Sequence, residues 1–317
     1  MRKFVSRFAC DSTRISSRGI HTDDAFETDY DKMQIYKISV PSPEGHLMHE
    51  RTKFYAQACD KIFEDFYPGK HDPPDHIIHV TCNGYVSPSG AQKLIANRSW
   101  NTKITHAYHM GCYASLPSIR LASALVQNEG NSVDVVHTEL CSLHLNPANH
   151  SPEQIVVQSL FADGFIKYRV SEDNSHAAFE ILKIKELIIP ESASMMTWMT
   201  SNFGMQMSLS KDVPVAIAKH LESFLQDFEF DRSTAIFAIH PGGPRIIDSI
   251  QDLLQLDDSK VSHAKSILFR YGNMSSATLP HIWQDLAEDS SISAGTEVMS
   301  LAFGPGLTIF GGLLRKL

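Results

Sequence analysis

The sequence lacks any apolar run of the roughly 18 residues that a membrane-spanning helix needs. Its basic first stretch, MRKFVSRFACDSTRISSRG, also lacks the apolar core of a signal peptide. Runs rich in lysine and arginine are missing as well, and the net charge is −8, which argues against an electrostatic nucleic-acid surface. These absences predict a cytoplasmic protein that binds neither membranes nor nucleic acids.

Paired cysteine spacings are absent too. The five cysteines, with no CxxC pair among them, are Cys10, Cys59, Cys82, Cys112 and Cys141. An odd number without paired spacing argues against a disulfide framework, so free thiols are predicted. The histidine pairs in DHIIHV and THAYHM lie on predicted strands, without a cysteine or carboxylate at a standard ligand spacing. No metal site is therefore predicted.

The chain does contain an alternation of strand and helix patterns, within 317 residues of which 43% are hydrophobic. The stretches DHIIHVT, NTKITHAYHM and VDVVHTE predict strands, and PSGAQKLIAN and ASLPSIRLASALVQ between them predict helices. This βαβα order is typical of a parallel sheet covered by helices.

A second half with a similar pattern follows the polar stretch SEDNSH. Here TAIFAIH predicts a strand, and EVMSLAFGPGLTIFGGLL predicts two strands broken at Gly304, Pro305 and Gly306. Helices are predicted over DVPVAIAKHLESFLQDF, GPRIIDSIQDLL and SSATLPHIWQDLAE. We therefore expect an α/β fold in two halves, residues 1–175 and 176–317.

Three polar side chains fall at the ends of predicted elements. Cys112, in HMGCYASLP, lies between a strand and a helix, and His240, in HPGGPRIID, ends the TAIFAI strand. Asn273, in RYGNMSSATL, precedes a helix that Ser275 or Ser276 can cap. Taken singly, each residue type is also common in packing or turns. Together they fit the usual presentation of active-site side chains on loops that a rigid sheet holds.

These stretches carry a resemblance to a known family. MGCYAS, LFADG, HPGGPRIID, YGNMSSA and FGPGLT resemble, in the same order, the signature stretches of chalcone synthase-like, type III polyketide synthases of the thiolase superfamily. The resemblance covers nearly the whole chain. It implies a duplicated αβαβα fold, a homodimer, and decarboxylative Claisen condensation of acyl-CoA with malonyl-CoA without a metal or cofactor.

The resemblance also implies roles for four residues. Cys112 matches the nucleophile that accepts the acyl starter, His240 the histidine paired with it, and Asn273 the neighbouring asparagine. Phe161 matches an aromatic gatekeeper between the CoA tunnel and the cavity. A helix N-terminus and an imidazolium are both expected beside Cys112, and both favour its thiolate. His240 Nε2 and Asn273 Nδ2 are expected to donate to the enolate oxygen that forms when malonyl-CoA loses carbon dioxide.

The sequence departs from the family at its start. Family members normally carry a further strand of the first sheet before the basic segment, and this strand is missing here. Three outcomes are open: the sheet tolerates the loss, the stretch MQIYKISV replaces the strand, or the chain is a truncated form.

Coenzyme A binding is assigned by resemblance to basic residues. Lys3 and Arg7 match two basic positions of the family, and Arg14 lies two residues beyond the third. We expect these side chains, with Arg245 after the GGP turn, to hold the CoA diphosphate. The alternative is a solvated basic face.

Several positions of the expected cavity differ from the family pattern. The predicted cavity residues besides Phe161 are Cys82, Ser87, Glu139, His144, Val157, Trp198 and Ser275, with Asn83 and Cys141 beside them. Glu139 is retained, whereas Ser87 replaces a methionine that reaches into the partner subunit, and Trp198 replaces a glycine. Most exchanges add volume, which favours few condensations, as few as one. Alternatively, Trp198 and the methionines near it are ordinary core or dimer-interface residues.

The sequence thus predicts a condensing acyltransferase that loads an acyl starter on Cys112 and extends it with malonyl-CoA. The nearest alternative is a stand-alone ketosynthase that takes acyl groups from an acyl carrier protein, which the basic Lys3, Arg7 and Arg245 leave open. A non-catalytic paralogue is a third alternative, supported by the missing strand alone. The Cys-His-Asn set argues against it and against a hydrolytic relative.

Overall fold

The computed structural model describes residues 5, 7–39, 41–129 and 132–317. Its first sheet contains β1 (His76–Thr81), β2 (Lys103–Tyr108), β3 (Val133–Leu140) and β4 (Asp163–Val170). The order is β2-β1-β3-β4, with β1 parallel to both neighbours and β4 antiparallel to β3. The helices of this half are α1 (Met48–Phe66), α2 (Gly90–Arg98), α3 (Ser115–Glu129) and α4 (Pro152–Leu160).

The second sheet starts with β5 (Phe179–Ile188), after which β6 (Met196–Thr200) and β7 (Met205–Leu209) form a separate hairpin. The sheet is completed by β8 (Ile236–Ile239), β9 (Glu297–Gly304) and β10 (Thr308–Lys316), in the order β5-β10-β9-β8. The helices are α5 (Val213–Gln226), α6 (Pro244–Leu254), α7 (Asp258–Tyr271) and α8 (Thr278–Glu288).

The strand and helix alternation predicted from the sequence is confirmed in both halves. Every residue of β1 and β3 is buried, as expected for central strands whose two faces are both covered. The sequence patterns did not predict α1, α4, α7, β4, β5 or the β6–β7 hairpin. The division at residue 175 stays a prediction.

The stretch MQIYKISV does not replace a strand of the first sheet. The backbone N–H groups of Gln34, Ile35 and Tyr36 donate to the Asp24 carboxylate over 2.6 to 2.8 Å. A segment whose amides are bound to one carboxylate has no row of donors left for a neighbouring strand. Of the three outcomes that the sequence left open, this one is therefore wrong, and within the described ranges the first sheet has four strands.

Buried polar side chains in the first sheet form a network of their own. His79 Nε2 and the Tyr55 hydroxyl both lie 2.8 Å from Thr138 Oγ1, and the Tyr108 hydroxyl lies 2.8 Å from His79 Nδ1. Burial lowers the pKa of His79 to about 3, so its ring is neutral. Within the described ranges, no helix is long and apolar enough to cross a membrane.

Candidate active site

Cys112 lies in the turn between β2 and α3, three residues before the helix begins. The turn is closed by a hydrogen bond from Ala114 N to Gly111 O, and Gly111 itself has a φ of +88°. Gly111 N donates to Cys82 Sγ over 2.9 Å, which fixes the residue just before Cys112. Cys112 is only 9% exposed. Sequence reasoning therefore placed this thiol correctly at a strand-to-helix junction.

The turn between β9 and β10 packs directly against the Cys112 turn. A Cβ on Gly304 would lie 1.9 Å from Tyr113 Cδ1, and one on Gly111 would lie 2.8 Å from Pro305 Cδ. Side chains at either position would overlap the opposite turn. The two glycines thus let the second half of the chain reach the Cys112 turn of the first half.

His240 lies one residue beyond β8 and is fully buried. Its backbone N–H donates to Leu301 O over 2.7 Å, on the strand that runs on to Gly304 and the Cys112 turn. Neither ring nitrogen has a hydrogen-bond partner. Burial lowers the pKa of His240 to about 3, so the ring is neutral.

Asn273 follows α7 and is held from both sides by the segment around Phe161. Asn273 N donates to Leu160 O, and Ala162 N donates to Asn273 O, each over 2.9 Å. The side-chain Oδ1 accepts from Ser275 N over 2.9 Å, which orients the amide. Its buried Nδ2 has no partner. The amide therefore points an unused donor away from the backbone that holds it.

Burial shifts the pKa values of Cys112 and His240 against the charge state expected from the sequence. Burial raises the pKa of the Cys112 thiol to about 12, although the side chains of Ser275 and Asn273 lower it. Since burial also keeps His240 neutral, the site holds a thiol and an imidazole. Both shifts oppose the thiolate and imidazolium expected from the sequence, because desolvation opposes the effect of the helix terminus in this enclosed position. That charge state stays a prediction.

A cavity of about 40 Å³ opens at Cys112. Of the predicted cavity residues, the structure places these at its wall: Cys82, His144, Val157, Phe161, Trp198 and Ser275. The neighbouring Asn83 and Cys141 line it as well, and so do Leu145, Gln154 and Met207, which were not predicted. Val157 and Phe161 lie one helical turn apart on α4 and at its end, a spacing that could have pointed to Gln154.

Two predicted cavity residues do not line this cavity. Ser87 is exposed, because the chain after β1 turns outward before Ser89 caps α2, and its place at a partner subunit's cavity stays a prediction. Glu139 is fully buried behind the cavity wall, where its carboxylate accepts from Cys82 N over 3.0 Å. Burial raises the pKa of Glu139 to about 7.

The β6–β7 hairpin forms the side of the cavity opposite the first sheet. Trp198 Nε1 donates to Cys82 O over 2.9 Å, and Met205 N donates to His144 Nδ1 over 3.1 Å. His144 Nε2 in turn donates to Asn83 O over 2.7 Å, so both of its ring nitrogens are used. Burial lowers the pKa of His144 to about 4, so the ring is neutral. Its two hydrogen bonds join the β6–β7 hairpin to the loop that follows β1.

The basic residues assigned to CoA are spread over two elements. Lys3 lies outside the described residues, and Arg7 is exposed with its guanidinium 5.4 Å from the Phe8 ring centre. Arg14 forms a bidentate ion pair with Asp248 of α6, at 3.0 and 3.1 Å. Arg245 is exposed one helical turn before Asp248, so Arg14 and Arg245 share one face of α6.

No group of three or more His, Cys, Asp or Glu side chains suited to a metal ion is found in the part of the chain that the structure describes.

Two family models match nearly the whole chain: the N-terminal domain of chalcone and stilbene synthases at residues 2–173, and the C-terminal domain at residues 180–317. The chain belongs to the chalcone and stilbene synthase family. The resemblance noted from its motifs is thereby confirmed.

A curated relative, probable polyketide synthase 1 of Dictyostelium discoideum, is 31% identical over 279 residues. That match covers 82% of this chain but only 9% of the relative, so the chain spans less than a tenth of that protein's length.

Two solved structures are similar in fold. The C-terminal type III polyketide synthase domain of a type I/III hybrid from Dictyostelium has a TM-score of 0.82 at 22% identity, covering 99% of this chain and 88% of that one. PKS-I from the brown alga Ectocarpus siliculosus has a TM-score of 0.83 at 21% identity, covering 100% of this chain and 89% of that one. These neighbours confirm the predicted thiolase-like α/β fold.

Proposed function

We propose that this chain is a condensing acyltransferase that loads an acyl group from acyl-CoA on Cys112 and extends it with malonyl-CoA. The observation that carries this proposal is that the side chains of His240 and Asn273 hold buried nitrogens without a hydrogen-bond partner, although the backbone of both residues is hydrogen-bonded. Buried polar groups are normally paired, so unpaired ones are typical of a ligand or transition-state site.

Acyl transfer starts from the neutral thiol. The Cys112 proton passes to His240 as the sulfur attacks the thioester carbonyl, and the carbon–sulfur bond to CoA breaks. The departing CoA thiolate takes the proton from His240. No net proton is gained or lost in this step, and His240 returns to the neutral state that its buried position favours.

In the condensation step, His240 and Asn273 stabilise the negative charge of an enolate. The malonyl carboxylate leaves as carbon dioxide, and its electron pair forms an enolate whose oxygen accepts from His240 Nε2 and Asn273 Nδ2. The enolate carbon attacks the acyl carbonyl, and the bond to Cys112 Sγ breaks. The sulfur leaves as a thiolate and takes up one proton for each condensation.

Phe161 fits the proposed gatekeeper position. It lines the cavity, and its backbone pairs with that of Asn273, so its ring stands beside the proposed enolate donor. An apolar wall there disfavours the malonyl carboxylate and favours neutral carbon dioxide. We assign CoA binding to Lys3, Arg7, Arg14 and Arg245, and we propose a homodimer that needs no metal or cofactor.

The small cavity supports few condensations. A water molecule needs roughly 10–15 Å³ of such space, so about 40 Å³ holds only a few. A long polyketide intermediate does not fit beside the acylated Cys112. The bulky Trp198 side chain, anchored on Cys82 O, takes much of the space that a glycine would leave open.

Replacing Trp198 with alanine is expected to lengthen the product. The change removes an indole from the cavity wall, so we expect products that carry at least one more malonyl-derived two-carbon unit. Mass spectrometry of the products measures this directly. Met199→Ala is the matched control, because Met199 is the next residue of β6 and is 65% exposed. If both variants leave the product mass unchanged, Trp198 does not limit chain length.

The proposed function is tested by intact-protein mass spectrometry with acyl-CoAs of rising length. We expect one acyl adduct per chain, which disappears when malonyl-CoA is added while a β-keto product accumulates. A protein that never gains an adduct from any acyl-CoA contradicts the proposal.

A carrier-protein-dependent ketosynthase is the second candidate. It is favoured by the ion pair that occupies Arg14, which weakens a diphosphate site, and by the solved neighbour that belongs to a type I/III hybrid synthase. The same mass measurement with acyl groups on an acyl carrier protein separates the two, since only this candidate loads from the carrier alone.

A further inference from the structure

A half-buried arginine, Arg18, lies behind the segment that carries Phe161. Its Nη1 donates to Gln158 O over 2.5 Å and to Phe161 O over 2.9 Å. Gln158 belongs to the last turn of α4, whose final carbonyls have no partner inside the helix. A positive charge at a helix C-terminus also interacts favourably with the helix dipole. Arg18 therefore fixes both the end of α4 and the first residue after it.

The same side chain contacts the residue before Asn273. The aliphatic part of Arg18 packs closely against Gly272, where a Cβ would lie 2.8 Å from Arg18 Cγ and 3.2 Å from its Cδ. Gly272 has a φ of +74°, and Asn273 follows it directly. The backbones of Asn273 and Phe161 form a parallel bridge. Arg18 thus lies against both segments of this backbone pair.

The chain on either side of Arg18 is hydrogen-bonded to the same region. The Ser17 hydroxyl donates to Arg270 O over 2.6 Å, at the end of α7. Gly19 O accepts from Asp163 N over 2.8 Å, at the start of β4. The backbone pair lies between the same two element ends. Arg18 therefore projects from a fixed segment directly onto the pair.

The acceptors that hold the Arg18 guanidinium are backbone carbonyls and not carboxylates. Arg14, four residues earlier, pairs instead with the Asp248 carboxylate. Burial lowers the pKa of Arg18, as expected for a cation that is partly removed from water. Burying a charge costs free energy that hydrogen bonds only partly offset. Such a cost is typical of functional sites, and here it fixes two backbone segments rather than balancing a charge.

The two steps of the proposed reaction make unequal demands on Asn273. Acyl transfer uses Cys112 and His240, whereas malonyl-CoA decarboxylation also needs the Asn273 Nδ2, which is buried without a partner. The place of that nitrogen follows from the backbone pair. On the basis of the proposed function, we propose that Arg18 is a positioning residue for decarboxylation. It holds Phe161 and Asn273 in register, so that the Asn273 amide meets the forming enolate oxygen.

Arg98 provides a matched control for Arg18. It is also half-buried, donates to the backbone carbonyl of Gly69, and pairs with Glu64 over 2.6 Å at the end of α2. Arg98→Met therefore removes a guanidinium that binds a backbone carbonyl, without changing a contact of the backbone pair between Phe161 and Asn273.

The test compares Arg18→Met with Arg98→Met in two separately timed stages. These are acylation of Cys112, followed by intact mass, and release of carbon dioxide from malonyl-CoA without a starter. Methionine keeps an unbranched chain against Gly272 but removes every donor. Because a misplacement of about 1 Å costs on the order of 10²-fold, Arg18→Met should lower the kcat of decarboxylation by about tenfold to a hundredfold. Acylation and the KM for malonyl-CoA should not change, and Arg98→Met should match wild type in both stages.

Arg18→Lys tests whether the two hydrogen bonds carry the effect. Its ammonium group keeps the charge and has three donors, so it should restore most of the lost decarboxylation rate. No recovery in Arg18→Lys would assign the effect to packing and contradict the proposal. If Arg18→Met does not fold, Arg18→Gln, which is shorter and uncharged, is compared in the same two stages.

Equal slowing of both stages in the Arg18 variants indicates a structural role only and overturns the proposal. Unchanged decarboxylation in a folded Arg18→Met or Arg18→Gln variant overturns it as well. Wild-type protein that neither loads an acyl group nor releases carbon dioxide contradicts the proposed function itself. The two failures are therefore distinguishable.

Discussion

Replacing Cys112 with alanine is expected to abolish acyl loading and to reduce product formation by on the order of 10⁴-fold or more. The turn that carries Cys112 is hydrogen-bonded to Cys82 and packs against the turn at Pro305, and the Ser275 side chain lies beside the thiol. Without its sulfur, the enolate has no covalent acyl partner. Intact mass and product yield, measured with the same acyl-CoA and malonyl-CoA, give both quantities.

Cys141→Ser is the matched control for this change. Cys141 is a second buried thiol in the same cavity, with its Sγ 3.6 Å from Asn83 Oδ1. The serine variant should still gain the acyl mass. If acyl loading persists in Cys112→Ala and disappears in Cys141→Ser, then Cys141 and not Cys112 is the nucleophile.

His240→Leu is expected to change activity and stability in opposite directions. Removing one preorganised donor to a developing oxyanion lowers rates by about 10²- to 10³-fold, so malonyl-CoA decarboxylation should fall by that factor. Both ring nitrogens are buried without partners, which destabilises the folded state by about 1–3 kcal/mol for an unpaired group. A leucine of similar size relieves this, so the free energy of unfolding in urea should rise.

His144→Leu provides the contrasting result. Both nitrogens of His144 are hydrogen-bonded, to Asn83 O and Met205 N, so the same substitution leaves two buried groups unpaired and should lower stability. If His240→Leu also lowers the free energy of unfolding, the packing of the His240 ring stabilises the fold by more than its unpaired nitrogens destabilise it.

The sequence predicted where the main chemical groups lie, because each ends a regular element within a recognisable motif. Cys112 precedes α3, His240 follows β8, and Asn273 lies in a glycine turn ahead of α8, as the strand and helix patterns and the glycine turns indicated. Their placement needs only local chain direction and the rule that loops at sheet ends carry active-site groups.

The failures have a common physical origin in long-range contacts. The pKa of Cys112 depends on how completely the second half of the chain excludes water, and no local sequence pattern contains that information. MQIYKISV has the alternation of apolar and polar residues that is typical of a strand, but its backbone N–H groups donate to the Asp24 carboxylate. Arg18 and Phe161 are 143 residues apart, so their hydrogen bond left no trace in either stretch of sequence.

The same enclosure that raises the pKa of Cys112 has a consequence for chemical durability. Burial also raises the pKa of Cys82 and Cys141, the other two thiols in the cavity. Alkylating agents and peroxides react with thiolates rather than thiols. If Cys112 carries the acyl group as proposed, a thiol that stays protonated until a thioester binds reacts slowly with alkylating agents and peroxides before that point.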